Sequence, residues 1–329
     1  HSFPTRRSSD LLLTICVVLL GALSSSALAE TGEYFLVTGD LHVHSEFSHD
    51  SDVPTDQVVR ESGIAGYDFI SLTEHNTTRQ MNKDWSTDEV LVISGYEHTT
   101  PAAHVNIFGL RFITRKSAIY TLEEMEDYLA PLREQGAVIQ LNHPNDPLYY
   151  SRFGYDLEMD LLEVWNGVWR EDDHKTLQDW HQMMVEGRYI PATTGTDAHA
   201  NHLKRRSFNN VYVTERSEEA ILAALKAGRN FISGRPDGAQ IWMECDGEIM
   251  GGTVPYRPGQ TVQIRITSVE PGMILRVYTD RGLYLEDVHE VGGGYTLQLS
   301  TSSAKFFRVE LWSNAEAIYA FSNPVFIEH

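Results

Sequence analysis

The segment GDLHVHSEFSHDS at residues 39–51 follows a short apolar run, Tyr34–Thr38, that has the composition of a β-strand. On extended backbone, side chains two residues apart point to the same side, so His42 and His44 share one side. One metal ion can bind both imidazoles. Taken alone, the pair is equally compatible with two hydrogen-bonded histidines that have a structural role.

Four later segments repeat this arrangement, in which an apolar predicted strand ends in His or carboxylate residues. They are TEHN at 73–76, GYEH at 95–98, LNHP at 141–144 and GTDAH at 195–199. If these strands are parallel and close into a barrel, their C-terminal ends converge where such folds carry active sites. Five such segments favour a metal cluster over scattered histidines. Imidazole and carboxylate ligands without thiolate suit Zn, Mn or Fe and do not choose among them.

Apolar β-rich runs alternate with amphipathic helical patterns through the first two thirds of the chain. One helix is predicted to begin at a capping box formed by Thr121 and Glu124, and another at Ser217. Alternation of this kind indicates an α/β fold with mainly parallel strands. We therefore predict an α/β domain at residues 30–235.

The pattern changes after about Gly234. Helical patterns stop, and turns that contain Gly and Pro separate strands with alternating apolar residues. The sequence therefore predicts a small antiparallel β-sandwich domain at residues 236–329.

The first 29 residues have the layout of a secretory signal peptide. Arg6 and Arg7 precede the apolar run Leu11–Leu20, and a small-residue stretch ends at Ala29. A membrane-spanning helix is less favoured because the apolar run is shorter than the roughly 20 residues that a span needs. Residues 1–10 resemble translated adapter sequence. We expect export to the periplasm or the extracellular space, with no membrane span after cleavage.

The charge balance restricts the partners of this chain. It has 26 Lys and Arg against 46 Asp and Glu, a formal net charge of −20. A chain this acidic is not expected to bind a nucleic acid duplex over a broad surface. A cluster of divalent ions would still make the site itself cationic, so a small anionic substrate remains possible.

Several motifs together resemble the PHP (polymerase and histidinol phosphatase) metallohydrolases, and most closely their exported CehA/McbA branch, which includes carbaryl-hydrolase-like proteins. The matching text is GDLHVHSEFSHDS at 39–51, DFISLTEHN at 68–76, GYEHTTPAAHVNIFGL at 95–110, LNHP at 141–144, LLEVWNG at 161–167, GTDAH at 195–199, EEAILAALKAGRNFIS at 218–233 and SNPVFIE at 322–328. The resemblance implies a distorted (β/α)7 barrel with two or three divalent metal ions.

The resemblance also implies which residues bind each ion. The first ion would have the ligands His42, His44, Glu97 and Asp197, and the second would have His104, His143 and a bridging Glu97. The third would have His75, His199 and a residue of the segment 48–50. Where the family more often has Ser-Asp-Gly, this chain places His49 at the expected ligand position, with Asp50 beside it. Glu74 is predicted to orient an imidazole.

Other histidines are predicted to lie outside the cluster. His98 follows Glu97 directly, so on a strand it faces the opposite way. Three more lie on helical or loop sequence and are predicted to be solvated: His174, His181 and His202.

The predicted activity is hydrolysis of a small phosphorylated ester. Two ions that share Glu97 would lower the pKa of a water between them and so provide hydroxide as the nucleophile. Glu97, Asp197 and His199 are the catalytic candidates, and Arg170 and Arg205 are candidates for holding the substrate anion. Alternatives are a carboxylic ester or carbamate hydrolase with the same metals, and a non-catalytic glycan-binding protein that uses the sandwich.

Overall fold

The computed structural model describes residues 34–114, 119–200, 202–204, 207–313 and 317–329. The predicted signal segment, residues 1–29, lies outside these ranges. The described chain is mixed α/β, as predicted. Within these ranges, no helix is both long and apolar enough to cross a membrane.

The first part of the chain alternates strands with helices. Its strands are β1 (Phe35–Val43), β2 (Phe69–Leu72), β3 (Leu91–Thr99), β4 (His104–Phe108), β5 (Val138–Leu141), β6 (Leu161–Asn166), β7 (Ala192–Gly195), β8 (Phe208–Val213) and β9 (Asn230–Ser233). Its helices are α1 (Thr55–Ile64), α2 (Leu122–Glu134), α3 (Glu171–Val185) and α4 (Glu218–Lys226), with 3₁₀ turns at Arg79–Asn82 and His202–Lys204.

The second part consists of strands. They are β10 (Gln240–Cys245), β11 (Glu248–Ile249), β12 (Thr253–Pro255), β13 (Thr261–Val269), β14 (Met273–Thr279), β15 (Gly282–His289), β16 (Gly293–Ser300), β17 (Phe306–Trp312), β18 (Ile318–Ser322) and β19 (Val325–Glu328).

The predicted capping box is confirmed at the start of α2. Thr121 Oγ1 accepts a hydrogen bond from Glu124 N, and the Glu124 carboxylate accepts one from Thr121 N. These bonds satisfy two backbone donors that an α-helix leaves unpaired at its N-terminus. Ser217 caps α4 in a similar way by accepting from Ala220 N.

Strands β1 to β7 are hydrogen-bonded in chain order, and β4 is the exception to parallel pairing. The pairs β1–β2, β2–β3, β5–β6 and β6–β7 are parallel, whereas β4 is antiparallel to both β3 and β5. Only residues 100–103 connect β3 to β4, and a parallel crossover needs a dozen or more residues. The short connection therefore reverses β4 and brings its first residue, His104, to the end of the sheet where β3 finishes.

The chain after β7 returns to β1. His44 N donates to Ala198 O at 3.1 Å, and Asp197 N donates to His42 O at 2.8 Å. Asp40 strengthens this contact, because its Oδ1 accepts from both His42 N and Thr196 N at 3.0 Å. The ends of β1 and β7 therefore lie side by side.

The large sheet continues past the predicted domain boundary. Strand β8 pairs with β1 and β9, and β9 then pairs with β18 through Ile232 and Phe321. The second part also contains one parallel pair, β12–β19, beside its antiparallel pairs. The mixed α/β fold is thus confirmed, while the finer description, a seven-stranded barrel followed by a separate sandwich, stays a prediction.

Asn323, near the C-terminus, connects the two parts. Its Oδ1 accepts from Tyr189 Oη at 3.1 Å and from Ala192 N at 2.9 Å. Its Nδ2 donates to Ala192 O and Asn230 O, both at 3.1 Å. Because Asn323 is fully buried, water could not replace its hydrogen bonds to these backbone groups if the side chain were removed.

Helix α3 packs on strand β17 through a buried arginine. Arg308, 2% exposed, donates from Nε to His181 Nδ1 at 3.1 Å and from Nη1 to Glu310 Oε1 at 2.6 Å. The ring of His181 also contacts Tyr278 and Phe306. His181 is therefore half-buried rather than fully solvated as predicted, because the second part of the chain covers this face of α3. His202, 0% exposed, is buried rather than solvated.

A chain that ends at residue 235 is expected not to fold by itself. It would lose the partner of β9, the cover of α3 and every hydrogen bond of Asn323. We expect an aggregated product without a cooperative thermal transition, checked by circular dichroism against the chain 30–329. Asn323→Ala in the longer chain should remain folded but lose about 1–3 kcal/mol of stability. Cooperative unfolding of the 30–235 product would contradict this prediction.

The half-buried His181 predicts a pH dependence of stability. Burial and the Arg308 guanidinium lower the pKa of His181 to about 4, below its ordinary value of 6.5. The unfolded chain therefore binds this proton more readily, so the contribution is full above pH 6.5 and is lost as the pH falls towards 4. In His181→Gln, the difference in unfolding free energy between pH 7 and pH 5 should be smaller than in the wild type by about 1–3 kcal/mol. An unchanged slope in denaturant titrations would refute this.

Candidate metal centre

The predicted ligand residues meet at one end of the sheet formed by β1 to β7. They are His42 and His44 on β1, His75 after β2, Glu97 on β3, His104 at the start of β4, His143 after β5, and Asp197 and His199 after β7. Three groups can each offer ligand atoms within 4.8 Å of one another. These groups are His42 with His44 and Asp197, Glu97 with His104 and His143, and His44 with His75 and His199.

Glu97 lies at the centre of these groups and is fully buried. Its Oε1 lies 3.0 Å from His104 Nδ1 and 3.5 Å from His42 Nε2. Its Oε2 lies 2.6 Å from His75 Nδ1 and 3.5 Å from His44 Nε2. One carboxylate therefore contacts imidazoles from all three groups.

Side chains alternate between the two faces of β3, so Glu97 and His98 point in opposite directions. The ring of His98 packs 4.2 Å from that of Tyr128, and its Nδ1 lies 3.3 Å from Tyr96 Oη. His98 thus faces away from the cluster, as predicted.

The electrostatics of the cluster favour ionised carboxylates. Burial alone would raise the pKa of Glu97, but the imidazoles of His42 and His104 outweigh burial and hold this pKa well below its ordinary value. The pKa of Asp197 is likewise held well below its ordinary value, with burial opposed by His42 and His44. Burial lowers the pKa of His44 to about 4. For His42, His75 and His143, the neighbouring carboxylates outweigh burial and raise the pKa, so these imidazoles would release protons when an ion binds. An ionised carboxylate and a neutral imidazole are the forms that bind metal ions.

Several buried atoms of the cluster have no hydrogen-bond partner among the described residues. They are His42 Nε2, His44 Nε2, His143 Nδ1 and Asp197 Oδ1. Buried polar atoms are nearly always paired, so such atoms require an explanation. These four belong to residues of neighbouring groups, and they are nitrogen and oxygen donors that suit divalent ions. The residues present therefore fit a bound metal.

At the third group the structure favours Asp50 over the predicted His49. Asp50 Oδ2 lies 3.3 Å from both His75 Nε2 and His199 Nε2. The side chain of His49 is 76% exposed. The preceding residue, Ser48, is buried in a turn closed by its N–H donating to Ser45 O. Asp50 is thus the better placed of the two residues, while the ring of His49 lies 5.2 Å from that of His75, and the identity of this ligand stays a prediction.

Glu74 acts on an imidazole through a serine. His44 Nδ1 lies 2.9 Å from Ser48 Oγ, which donates to Glu74 Oε2 at 2.6 Å. Ser45 N and Oγ donate to the same carboxylate. This arrangement orients His44 so that Nε2 faces the cluster, which agrees with the orienting role predicted for Glu74.

Sequence reasoning missed two buried carboxylates beside the cluster, Asp40 and Glu163. Asp40 joins the ends of β1 and β7, as described above. Glu163 Oε1 lies 3.0 Å from His42 Nδ1, and Glu163 Oε2 accepts from His143 N at 2.9 Å. The signal was available, because Glu163 is the one charged residue within the apolar strand LLEVWN.

The backbone is strained at the cluster. Among the described residues, five other than glycine have positive φ, and three of them belong to this region: Asn76, His143 and Asp197. Such conformations persist where surrounding contacts enforce them, and they concentrate at functional sites.

Arg170 is engaged by carboxylates rather than free for an anion. Its Nη2 lies 3.2 Å from Asp146 Oδ2 and 3.1 Å from Asp172 Oδ2. Asp146 Oδ1 in turn accepts from the backbone N–H groups of Leu148 and Tyr149. Arg170 thus supports the loop that places Tyr149, whose ring lies 5.4 Å from that of His104, at the rim of the cluster. Arg205, the other predicted anion-binding residue, lies outside the described residues.

No family model and no curated protein matches the sequence. Among solved structures, the chain is similar to a two-domain protein from Bacteroides vulgatus ATCC 8482 that contains a predicted PHP-like metal-dependent phosphoesterase. The two are 21% identical over 85% of this chain and 90% of that chain, with a TM-score of 0.50. PsfC from Pseudomonas syringae PB-5123 is 16% identical over 57% of this chain and 87% of that chain, with a TM-score of 0.46. The first likeness shows that this chain shares the fold of a two-domain, PHP-like protein.

Proposed function

We propose that the protein is an exported metal-dependent hydrolase that cleaves phosphoesters. The observation that carries this proposal is Glu97, a buried carboxylate that contacts imidazoles of three ligand groups, in which His42 Nε2, His44 Nε2 and His143 Nδ1 are buried without a hydrogen-bond partner. The shared fold with a PHP-like protein supports it. Membership of the CehA/McbA branch and removal of residues 1–29 are part of the proposal.

The proposed ligands follow the three groups. The first ion is held by His42, His44, Glu97 and Asp197, the second by Glu97, His104 and His143, and the third by His75, His199 and Asp50. Zn, Mn and Fe all suit this donor set.

Ions bound there would act as Lewis acids that lower the pKa of a coordinated water and neutralise negative charge on a phosphoryl group. The chain's own contribution is to place the ligands. Glu97 would be shared by two ions, and Asp197 and His199, after β7, lie at the more open side of the cluster, with side chains 27% and 29% exposed. A phosphoryl group with several oxygens suits a site where three ligand groups adjoin.

A carboxylic ester or carbamate hydrolase with the same metals is the second candidate. The observation that favours it is the rim, where Leu148 and Tyr149 are exposed and Arg170 is already paired with carboxylates. An apolar rim suits a neutral substrate better than a strongly anionic one.

His143→Ala is expected to reduce the metal content by one equivalent. Glu97 and His104 would remain, but two ligands hold a divalent ion far more weakly than three. Elemental analysis of the purified protein measures the content directly. His289→Ala, a substitution on β15, is the matched control and should leave the content unchanged. An unchanged content in the His143 variant would remove this residue from the ligand set.

A substrate panel tests the reaction class. The metal-loaded protein should hydrolyse phosphate mono- or diesters faster than carboxylic esters and carbamates, and a chelator should abolish turnover. Colorimetric release of the alcohol measures each rate. Preference for the carboxylic ester or carbamate would select the second candidate. A protein that retains its metals and turns over none of the panel would refute the hydrolase proposal and favour a binding role.

A further inference from the structure

Glu163 is a buried carboxylate that the proposed ligand set does not include. It lies on β6, is 1% exposed, and is flanked by the buried residues Leu162 and Val164. A carboxylate in such surroundings is costly unless several donors satisfy it. Its contacts therefore indicate why this position holds a charged residue.

One oxygen of Glu163 contacts the first ligand group. Oε1 lies 3.0 Å from His42 Nδ1. Donation from Nδ1–H to this oxygen fixes the tautomer in which the lone pair of His42 is on Nε2. That Nε2 is the atom that lies 3.5 Å from Glu97 and 3.4 Å from Asp197.

The other oxygen contacts the second ligand group. Oε2 accepts from His143 N at 2.9 Å and from Asn166 Nδ2 at 3.1 Å. His143 has a φ of +27°, a conformation that non-glycine residues rarely adopt. The hydrogen bond to its N–H thus helps to hold a strained backbone that presents the imidazole to Glu97.

The end of β7 leaves room for this contact. A Cβ atom at Gly195 would lie 2.2 Å from His42 Cβ and 2.4 Å from Glu163 Oε1. Any side chain at position 195 would push His42 and Glu163 apart. The absence of a side chain at Gly195 is therefore required for the close contact between His42 and Glu163.

We propose that Glu163 is a positioning residue that couples two metal subsites, because it orients His42 of the first and His143 of the second. This inference rests on the proposed metal centre. Removing Glu163 should weaken ion binding at both subsites together, although the residue contacts neither ion.

Co²⁺ titration of the full metal-free chain tests this coupling. Bound equivalents come from elemental analysis, and the visible d–d absorption reports ligand geometry, which a purely structural role would not alter. In Glu163→Ala both contacts are lost, so Co²⁺ affinity should fall about 10–100-fold at both subsites. In Glu163→Gln the single amide oxygen can accept from His42 or from His143 but not from both, so affinity should fall at one subsite at least.

Glu310→Gln is the matched control. Glu310 is also a buried carboxylate, but its partners are Arg308 and Trp312, on β17. This variant should lose stability and keep the wild-type Co²⁺ affinities and spectrum. Unchanged affinities in both Glu163 variants, or a loss confined to one subsite in Glu163→Ala, would overturn the coupling.

A measurement on the wild-type protein covers the case in which the variants do not fold. With ¹⁵N-labelled histidine and bound Zn²⁺, His42 should carry its proton on Nδ1. A proton on Nε2 would overturn the proposal. The two hypotheses fail separately: a wild-type chain that binds no Co²⁺ refutes the metal centre, and one that binds Co²⁺ without hydrolysing esters refutes only the proposed reaction.

Discussion

The rest of this structure depends on the burial of one carboxylate, that of Glu97, among imidazoles. Removing a carboxylate from water is costly unless positive charge or strong donors replace the hydration. Here the imidazoles of His42, His104 and His143 lie close enough that its pKa is held below the ordinary value despite full burial. The chain must therefore bring distant segments to Glu97, and the topology of the sheet can be understood from this requirement.

Two features of the sheet meet the requirement. The short connection after β3 reverses β4, so that His104 lies beside Glu97 although it begins a strand. The return of the chain after β7 to β1 places Asp197 next to His42, and Asp40 fixes this junction by accepting from both sides. Ligand residues that lie far apart in sequence are thereby held next to hydrogen-bonded strands, which position side chains more precisely than loops do.

Around the cluster, a second set of buried groups orients the ligands. Ser48 connects His44 to Glu74, and Glu163 contacts both His42 and the backbone of His143. The C-terminal strands contribute indirectly, because Asn323 binds the backbone at Ala192, where β7 begins. Contacts of this kind keep the imidazoles in place before any ion binds, which lowers the cost of forming the site.

The sequence by itself determined the mixed α/β class, the caps of α2 and α4 and the clustering of His and carboxylate residues at strand ends. These features are local, because capping spacing and two-residue alternation are readable within a few residues. Only the tertiary structure decided the reversal of β4, the position of Asp50 beside His75 and His199, the pairing of Arg170 and the partial burial of His181. Each of these depends on strand direction or on contacts with segments far along the chain, so no local pattern carries them.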